Sequence, residues 1–208
     1  MDALSRLVDA LRCLPGIGPK SAQRITYHLL QHQRQRGLHL ASCLDDAMRN
    51  IHHCQRCNNH TTYDLCALCQ NKERDFTTLC VVESPADVAA IEQSNVYHGG
   101  YYVLMGKISP LDGIGPDDIN LPKLRQLIMH ENIQEVILAL SPTIEGQTTV
   151  HFIHELLRPH HIHLSQLAHG IPTGGELEYL DSNTIGSALR NRAILKDNML
   201  GPVDYSLE

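Results

Sequence analysis

"FTTLCVVESPADVAAIEQ", residues 76–93, changes its period half-way along. The first eight residues are a β-rich run ending in Glu83, and from Pro85 onward the spacing of apolar residues is helical. The same alternation continues outward. "YYVLM" (101–105) reads as a second strand, "SPLDGIGPDD" as a Gly/Pro loop, and "LPKLRQLIMH" as a helix. "EVILAL" (135–140) is an apolar strand, "GQTTVHFIHELL" a helix and "HIHLSQLA" a further strand. Strand and helix in strict alternation predict an α/β domain with a largely parallel sheet, placed over residues 76–175.

Upstream of residue 76 the pattern is different. Leu4, Leu7, Val8 and Leu11 fall on one helical stripe, which Pro15 and two glycines stop. A second helix starts at Pro19, with Ala22, Ile25 and Leu29 on one face and Lys20, Arg24 and His28 on another. A third is expected near 40–52, with Leu40, Leu44, Ala47, Met48 and Ile51 on one side. The segment "LPGIGPKSAQRI" between the first two helices resembles the helix-hairpin-helix family. Gly16 and Gly18 would let the backbone turn tightly and approach a phosphate at the start of a helix, where free N–H groups and the helix dipole favour an anion. Lys20 and Arg24, one turn apart, would add charge against neighbouring phosphates without reading sequence. A plain helical turn with two solvated cations is the alternative. Residues 1–53 are assigned to this region.

Charge divides along the same line. Residues 1–75 carry ten Lys+Arg against seven Asp+Glu, a balance of +3, and residues 76–208 carry seven against sixteen, a balance of −9, summing to the net −6. A mildly basic first part suits a polyanion and an acidic remainder suits protein contacts or divalent cations, unless the imbalance is only solvated surface. An apolar content of 42% is ordinary for a chain of 208 residues that buries a core. No stretch reaches the roughly 18 apolar residues a membrane span needs, and "MDALSRLVDALRCL" has no basic region preceding an apolar run. A soluble, cytoplasmic protein is expected.

"CQRCNNHTTYDLCALC" places two C-x-x-C pairs eight residues apart. Each pair forms a knuckle that presents two thiolates, and Cys54, Cys57, Cys66 and Cys69 together complete a tetrahedral shell for one Zn²⁺. With four protein ligands no position stays open for water, so the site is structural rather than catalytic, and residues 54–75 form the module. Disulfides remain the alternative, disfavoured in a reducing compartment. Cys13, Cys43 and Cys80 read as small buried hydrophobes. His151, His154, His160, His161 and His163 read as surface.

Glu83 at one strand end and "SPTIEG" (141–146) after another resemble the layout of the Toprim family. In that family a strand-end Glu and a D-x-D gather Mg²⁺ for phosphoryl transfer. Here Ser141 and Thr143 stand at the two aspartate positions, and two hydroxyls withdraw two negative charges from the site, so no catalytic Mg²⁺ is expected.

The order of helix-hairpin-helix, four-cysteine module and degenerate Toprim, with "VVESPADVAAIE", "ISPLDGIGPDDIN", "SPTIEG" and "AHGIPTGGELEYLDSNTIGSAL", resembles the RecR family of bacterial recombination mediators over essentially the whole chain. The resemblance implies a non-enzymatic protein that works with RecO, and in some settings RecF, to help RecA replace single-strand binding protein on gapped DNA. It implies nucleoid-associated dimers and ring-like tetramers, built through the N-terminal and C-terminal regions, the latter being residues 176–208. It makes Lys20 and Arg24 contacts to single- or double-stranded DNA and links Glu83 and Glu145 to partner binding. Ser141 stands where the family more often carries Asn, and Lys107 where a small or apolar residue is usual. Two other readings remain at this level: a Mg²⁺-dependent Toprim nuclease or nicking enzyme, and a zinc-stabilised interaction module that leaves "LPGIGPKSAQR" unexplained.

Overall fold

The strand that opens the α/β pattern is the centre of the sheet. In a computed structural model, which describes residues 2–160, 162–168 and 170–192, β3 (Asp75–Val82) lies between β4 (Gly99–Val103) and β5 (Glu135–Ala139), and β6 (His163–Gln166) pairs with β5. All three pairings are parallel, in the order β4-β3-β5-β6. Helices α5 (Pro85–Gln93), α6 (Leu121–His130) and α7 (Ile144–Leu157) make the crossovers that parallel pairing requires.

Both faces of the sheet are covered, so its strands carry apolar residues at successive positions rather than alternately. On one face Leu79, Val81, Tyr102, Leu104, Val136 and Leu138 cluster with Leu124, Ile128, Ile153 and Leu157 of α6 and α7. On the other, Cys80, Val82, Tyr101 and Val103 pack with Val88 and Ile91 of α5. The strand expected over 101–105 begins and ends two residues earlier, because Met105 is left-handed (φ 63°) and turns the chain out of the ladder. Asp87 closes the start of α5 by accepting from the Ser84 amide at 2.8 Å and its hydroxyl at 2.9 Å. The C-terminal segment contains one described α-helix, α8 (Ser182–Arg190), capped by Asp181. The rest of that segment, 193–208, lies outside the described residues.

The chain divides into two compact units. One contains the residues up to Gln55 with His60–Cys66, the other Arg56–Asn59 with the residues from Ala67 onward. In the first, α1 (Ala3–Leu11) is capped by Asp2, α2 spans Pro19–His32 and α3 spans Arg34–Asn50. The third helix starts at Arg34 rather than near 40, because Gly37 continues the helix instead of stopping it. Two short strands of this unit, β1 (His52–His53) and β2 (His60–Thr61), pair antiparallel, and in the second unit a single turn of helix, α4 (Ala67–Gln70), holds the last cysteine.

Two of the three outlying cysteines depart from expectation. Cys13 and Cys43 are exposed, because Cys13 follows the end of α1 and the stripe of α3 around Cys43 is itself uncovered, with Leu40 and Leu44 about half exposed. Cys80 is buried as expected. His151, His154 and His163 are exposed and His160 half-buried, while His161 lies outside the described residues.

Candidate functional site

The order β4-β3-β5-β6 reverses its direction of growth at β3, and in open α/β sheets the crevice beyond the strand ends at such a reversal is where ligands bind. Glu83 follows β3 there and Ser141 lies just beyond β5. The two meet directly. One carboxylate oxygen of Glu83, Oε1, accepts from the Ser141 amide at 2.7 Å and from its hydroxyl at 2.6 Å. Lys107, from the loop after β4, enters the same crevice. Its Nζ donates to Ser141 Oγ at 3.1 Å and Thr143 Oγ1 at 3.4 Å, and lies 3.6 Å from Glu83 Oε2. Thr143 is the N-cap of α7 and accepts from the Gly146 amide at 3.2 Å. Glu145 sits in the first turn of α7, where its own backbone amide, the Thr143 hydroxyl and the nearby Lys107 charge hold its carboxyl below the ordinary range, against slight desolvation and Asp112.

These residues do not fit the Mg²⁺ that the Toprim family implies. A hard dication needs several anionic or neutral oxygens in a tight octahedron. Here one carboxylate oxygen is already engaged by two donors, the two hydroxyls carry no charge, and an ammonium lies among them. Sequence reasoning placed Glu83, Ser141 and Thr143 at this site and noted Lys107 as unusual. It missed that Lys107 turns into the crevice, for which the sequence offers only the Met-Gly pair before it as a signal.

The second site is the four-cysteine cluster. The sulfur atoms of Cys54, Cys57, Cys66 and Cys69 all lie within 4.8 Å of one another, and Cys54, Cys57 and Cys66 are buried. Thiolates about 2.3 Å from a tetrahedral ion stand about 3.8 Å apart, so the cluster can hold a metal with small adjustments. The Cys66 amide points at Cys54 Sγ at 3.3 Å, as amides do where thiolate charge needs support. The first knuckle is tied down independently: the Val103 amide donates to the Cys57 carbonyl at 2.9 Å, and Asn58, in a left-handed turn (φ 63°), donates through Nδ2 to the Val103 carbonyl at 2.7 Å. His52, His53 and His60 lie on the β1–β2 pair and are exposed.

The third is the hairpin before α2. Gly16 is left-handed (φ 77°), a conformation that glycine adopts without steric cost. Gly18 has an extended backbone, open space around it, and caps α2 without a side-chain bond, so the helix start is left accessible. Lys20, Arg24 and His28 are exposed and line one groove with Tyr27, which accepts from Gln23 at 3.2 Å. Ala22, on the opposite stripe, is fully buried.

Two helices around an exposed glycine turn, a four-thiolate cluster and a parallel sheet with a filled switch point define a helix-hairpin-helix and Toprim protein. The Toprim domain family matches residues 77–168, the RecR helix-hairpin-helix family residues 4–48, and the RecR C-terminal family residues 170–193. Recombination protein RecR of Legionella pneumophila strain Philadelphia 1 is 74% identical over 195 residues, covering 94% of this chain and 98% of its own. That of Hydrogenovibrio crunogenus is 49% identical, covering 91% and 96%. The chain belongs to the RecR family of recombination proteins.

Proposed function

We propose that this chain is a non-enzymatic mediator of recombinational DNA repair, which grips single- or double-stranded DNA without sequence preference and works with RecO, and in some settings RecF, to help RecA load onto gapped DNA coated by single-strand binding protein. The observation that carries this reading is the open start of α2, where Lys20 and Arg24 stand exposed beside a helix N-terminus that has no side-chain cap. Residues 1–53 form the DNA-binding region, 54–75 the metal module, 76–175 the Toprim domain and 176–208 a C-terminal segment for assembly. The cluster of Cys54, Cys57, Cys66 and Cys69 holds one structural Zn²⁺, since an all-thiolate set selects a soft tetrahedral ion and leaves no open position. Zinc there supplies cross-linking, and the bonds from the Val103 amide and the Asn58 side chain orient the knuckle.

Partner contact belongs to the Toprim crevice. Glu145, half-buried beside Ile144, which is 84% exposed, is the contact we assign to RecO. Glu83, only 17% exposed, supports the same surface by fixing Ser141. Self-association into dimers and ring-like tetramers is supported by the exposed apolar side chains of α3, among them Leu38 at 61% and Met48 at 77%, which in a single chain face water. The protein works in the cytoplasm at the nucleoid. No described helix is long and apolar enough to cross a membrane.

The test is DNA binding with RecO present, as a function of salt. Log affinity should fall with log salt by roughly 0.7 per phosphate contact on single strands and 0.9 on duplex. The Lys20→Glu, Arg24→Glu double variant should lose affinity about equally for unrelated sequences and show a shallower slope, with thermal unfolding nearly unchanged. Unaltered affinity and slope would refute the DNA site, and metal-dependent strand scission by the purified wild type would establish the nuclease reading instead.

A further inference from the structure

Lys107 is the residue of the Toprim crevice that the proposed function leaves unused. Its side chain is 34% exposed, and its three ammonium protons have three oxygens to meet: Ser141 Oγ at 3.1 Å, Thr143 Oγ1 at 3.4 Å and Glu83 Oε2 at 3.6 Å. Those oxygens come from the ends of two neighbouring strands and the cap of α7, the same places from which the fold would present ligands to a metal. The remaining oxygen of Glu83 is occupied by the Ser141 amide and hydroxyl. The hydroxyls also approach each other, with Ser141 Oγ and Thr143 Oγ1 3.3 Å apart. Charge and donor count therefore match within the chain: one carboxylate, one ammonium and two hydroxyls that orient between them.

We propose that Lys107 Nζ is a tethered cation that takes the place of a divalent metal at the strand-end crevice, pinning the 141–143 loop to Glu83 and keeping Mg²⁺ and Mn²⁺ out. A dication entering between Glu83 and Thr143 would meet the ammonium at a few ångströms, and the attraction of a single shared carboxylate does not outweigh that repulsion. With the ammonium gone, the Glu83 carboxylate and the two hydroxyls remain as an all-oxygen set of the kind hard cations accept. The crevice is thus assembled without any ion, and the surface carrying Glu145 keeps its shape whatever the Mg²⁺ concentration. This rests on the Toprim reading of the crevice and goes beyond the absence of turnover. Metal uptake without strand scission would sink the Lys107 proposal and leave the non-enzymatic reading standing.

The experiment is Mn²⁺ binding to the full chain, followed by loss of the aqueous Mn²⁺ electron paramagnetic resonance signal, for wild type, Lys107→Met, and Lys107→Met combined with Glu83→Gln. Wild type should leave the signal unchanged. Lys107→Met, which keeps the length of the side chain and removes its charge, should take up Mn²⁺ at least about tenfold more tightly. The double variant should lose that uptake. Glu83-dependent uptake by wild type equal to that of Lys107→Met overturns the proposal, and so does an absence of uptake by Lys107→Met. Should the variants fold poorly, the wild type decides alone against folded Glu83→Gln: a rise in melting temperature with MnCl₂ that Glu83→Gln abolishes overturns the proposal, and no Glu83-dependent rise supports it.

Discussion

Burial pushes the Cys80 thiol up to about 12, because a thiolate in the apolar layer between β3 and α5 has nothing to solvate it. The sulfur therefore stays protonated and inert at any pH the protein meets, and peptide mapping after alkylation should find Cys80 modified only once the chain is unfolded. Labelling of Cys80 in the native protein would contradict its place in the core. Gly146 makes a sharper demand. A Cβ there would lie 1.9 Å from the Ser141 carbonyl oxygen, so the loop that reaches Glu83 crosses the first turn of α7 at a distance only glycine permits. Gly146→Ala should cost about 2 kcal/mol by overpacking, measured as a shift in denaturant midpoint, and an unchanged midpoint would show that the loop does not press on the helix. Residues of this kind were half legible. Glu83 and Ser141 could be read as strand-end neighbours, since strand ends follow from periodicity. That Lys107 reaches them depends on the left-handed Met105 redirecting the loop after β4, which no local pattern announces.

Elements are held by contacts that the pattern of apolar residues does not specify. The end of α5 is fastened by Glu92, whose carboxylate pairs with Arg74 and accepts from the Tyr101 hydroxyl at 2.6 Å, while Arg74 donates to the Gly99 carbonyl at 2.8 Å. Burial opposes ionisation of Glu92, but the Tyr101 hydroxyl and the Arg74 guanidinium outweigh it and hold its carboxyl below the ordinary range. A carboxyl with a depressed folded pKa contributes its stability fully above the unfolded value, about 4.3, and loses it as pH falls through the lower folded one. Glu92→Gln should therefore be less stable than wild type by about 2 kcal/mol near neutrality, and the gap should narrow progressively below about pH 4. A gap that stays constant into acid would place the stabilisation elsewhere. The helices and strands themselves were largely legible, because each carries its own period and stop signals. The exceptions are instructive: α3 runs through Gly37, and the β1–β2 pair is too short to show a period at all.

At the scale of the molecule, the four-cysteine segment was the clearest signal, since its spacing is local and chemically specific. Cys57→Ser should lower the metal content of the purified protein and its melting temperature, while the phosphate contact proposed for Lys20 and Arg24 should persist in whatever fraction remains folded. A variant as stable as wild type, together with no zinc in either, would remove the metal from the account. Under the proposed function, the mildly basic first part of the chain, at +3 over residues 1–75, would give each copy only a weak grip on DNA, and a ring of copies would multiply it by raising the effective concentration of the remaining contacts once one is made. The position of β3 has a bearing on how the chain is made. Its two partners lie on opposite sides and are synthesised at different times, β4 soon after it and β5 only as residues 135–139 emerge. The helices α1 to α3 need nothing from later in the chain for their own neighbouring contacts and can settle while translation continues, but the central strand waits with one hydrogen-bonding edge open until more than half of the polypeptide has left the ribosome. Nascent chains that stop short of β5 therefore present a bare, strongly apolar strand edge, the form in which this protein is most exposed to aggregation and to chaperones.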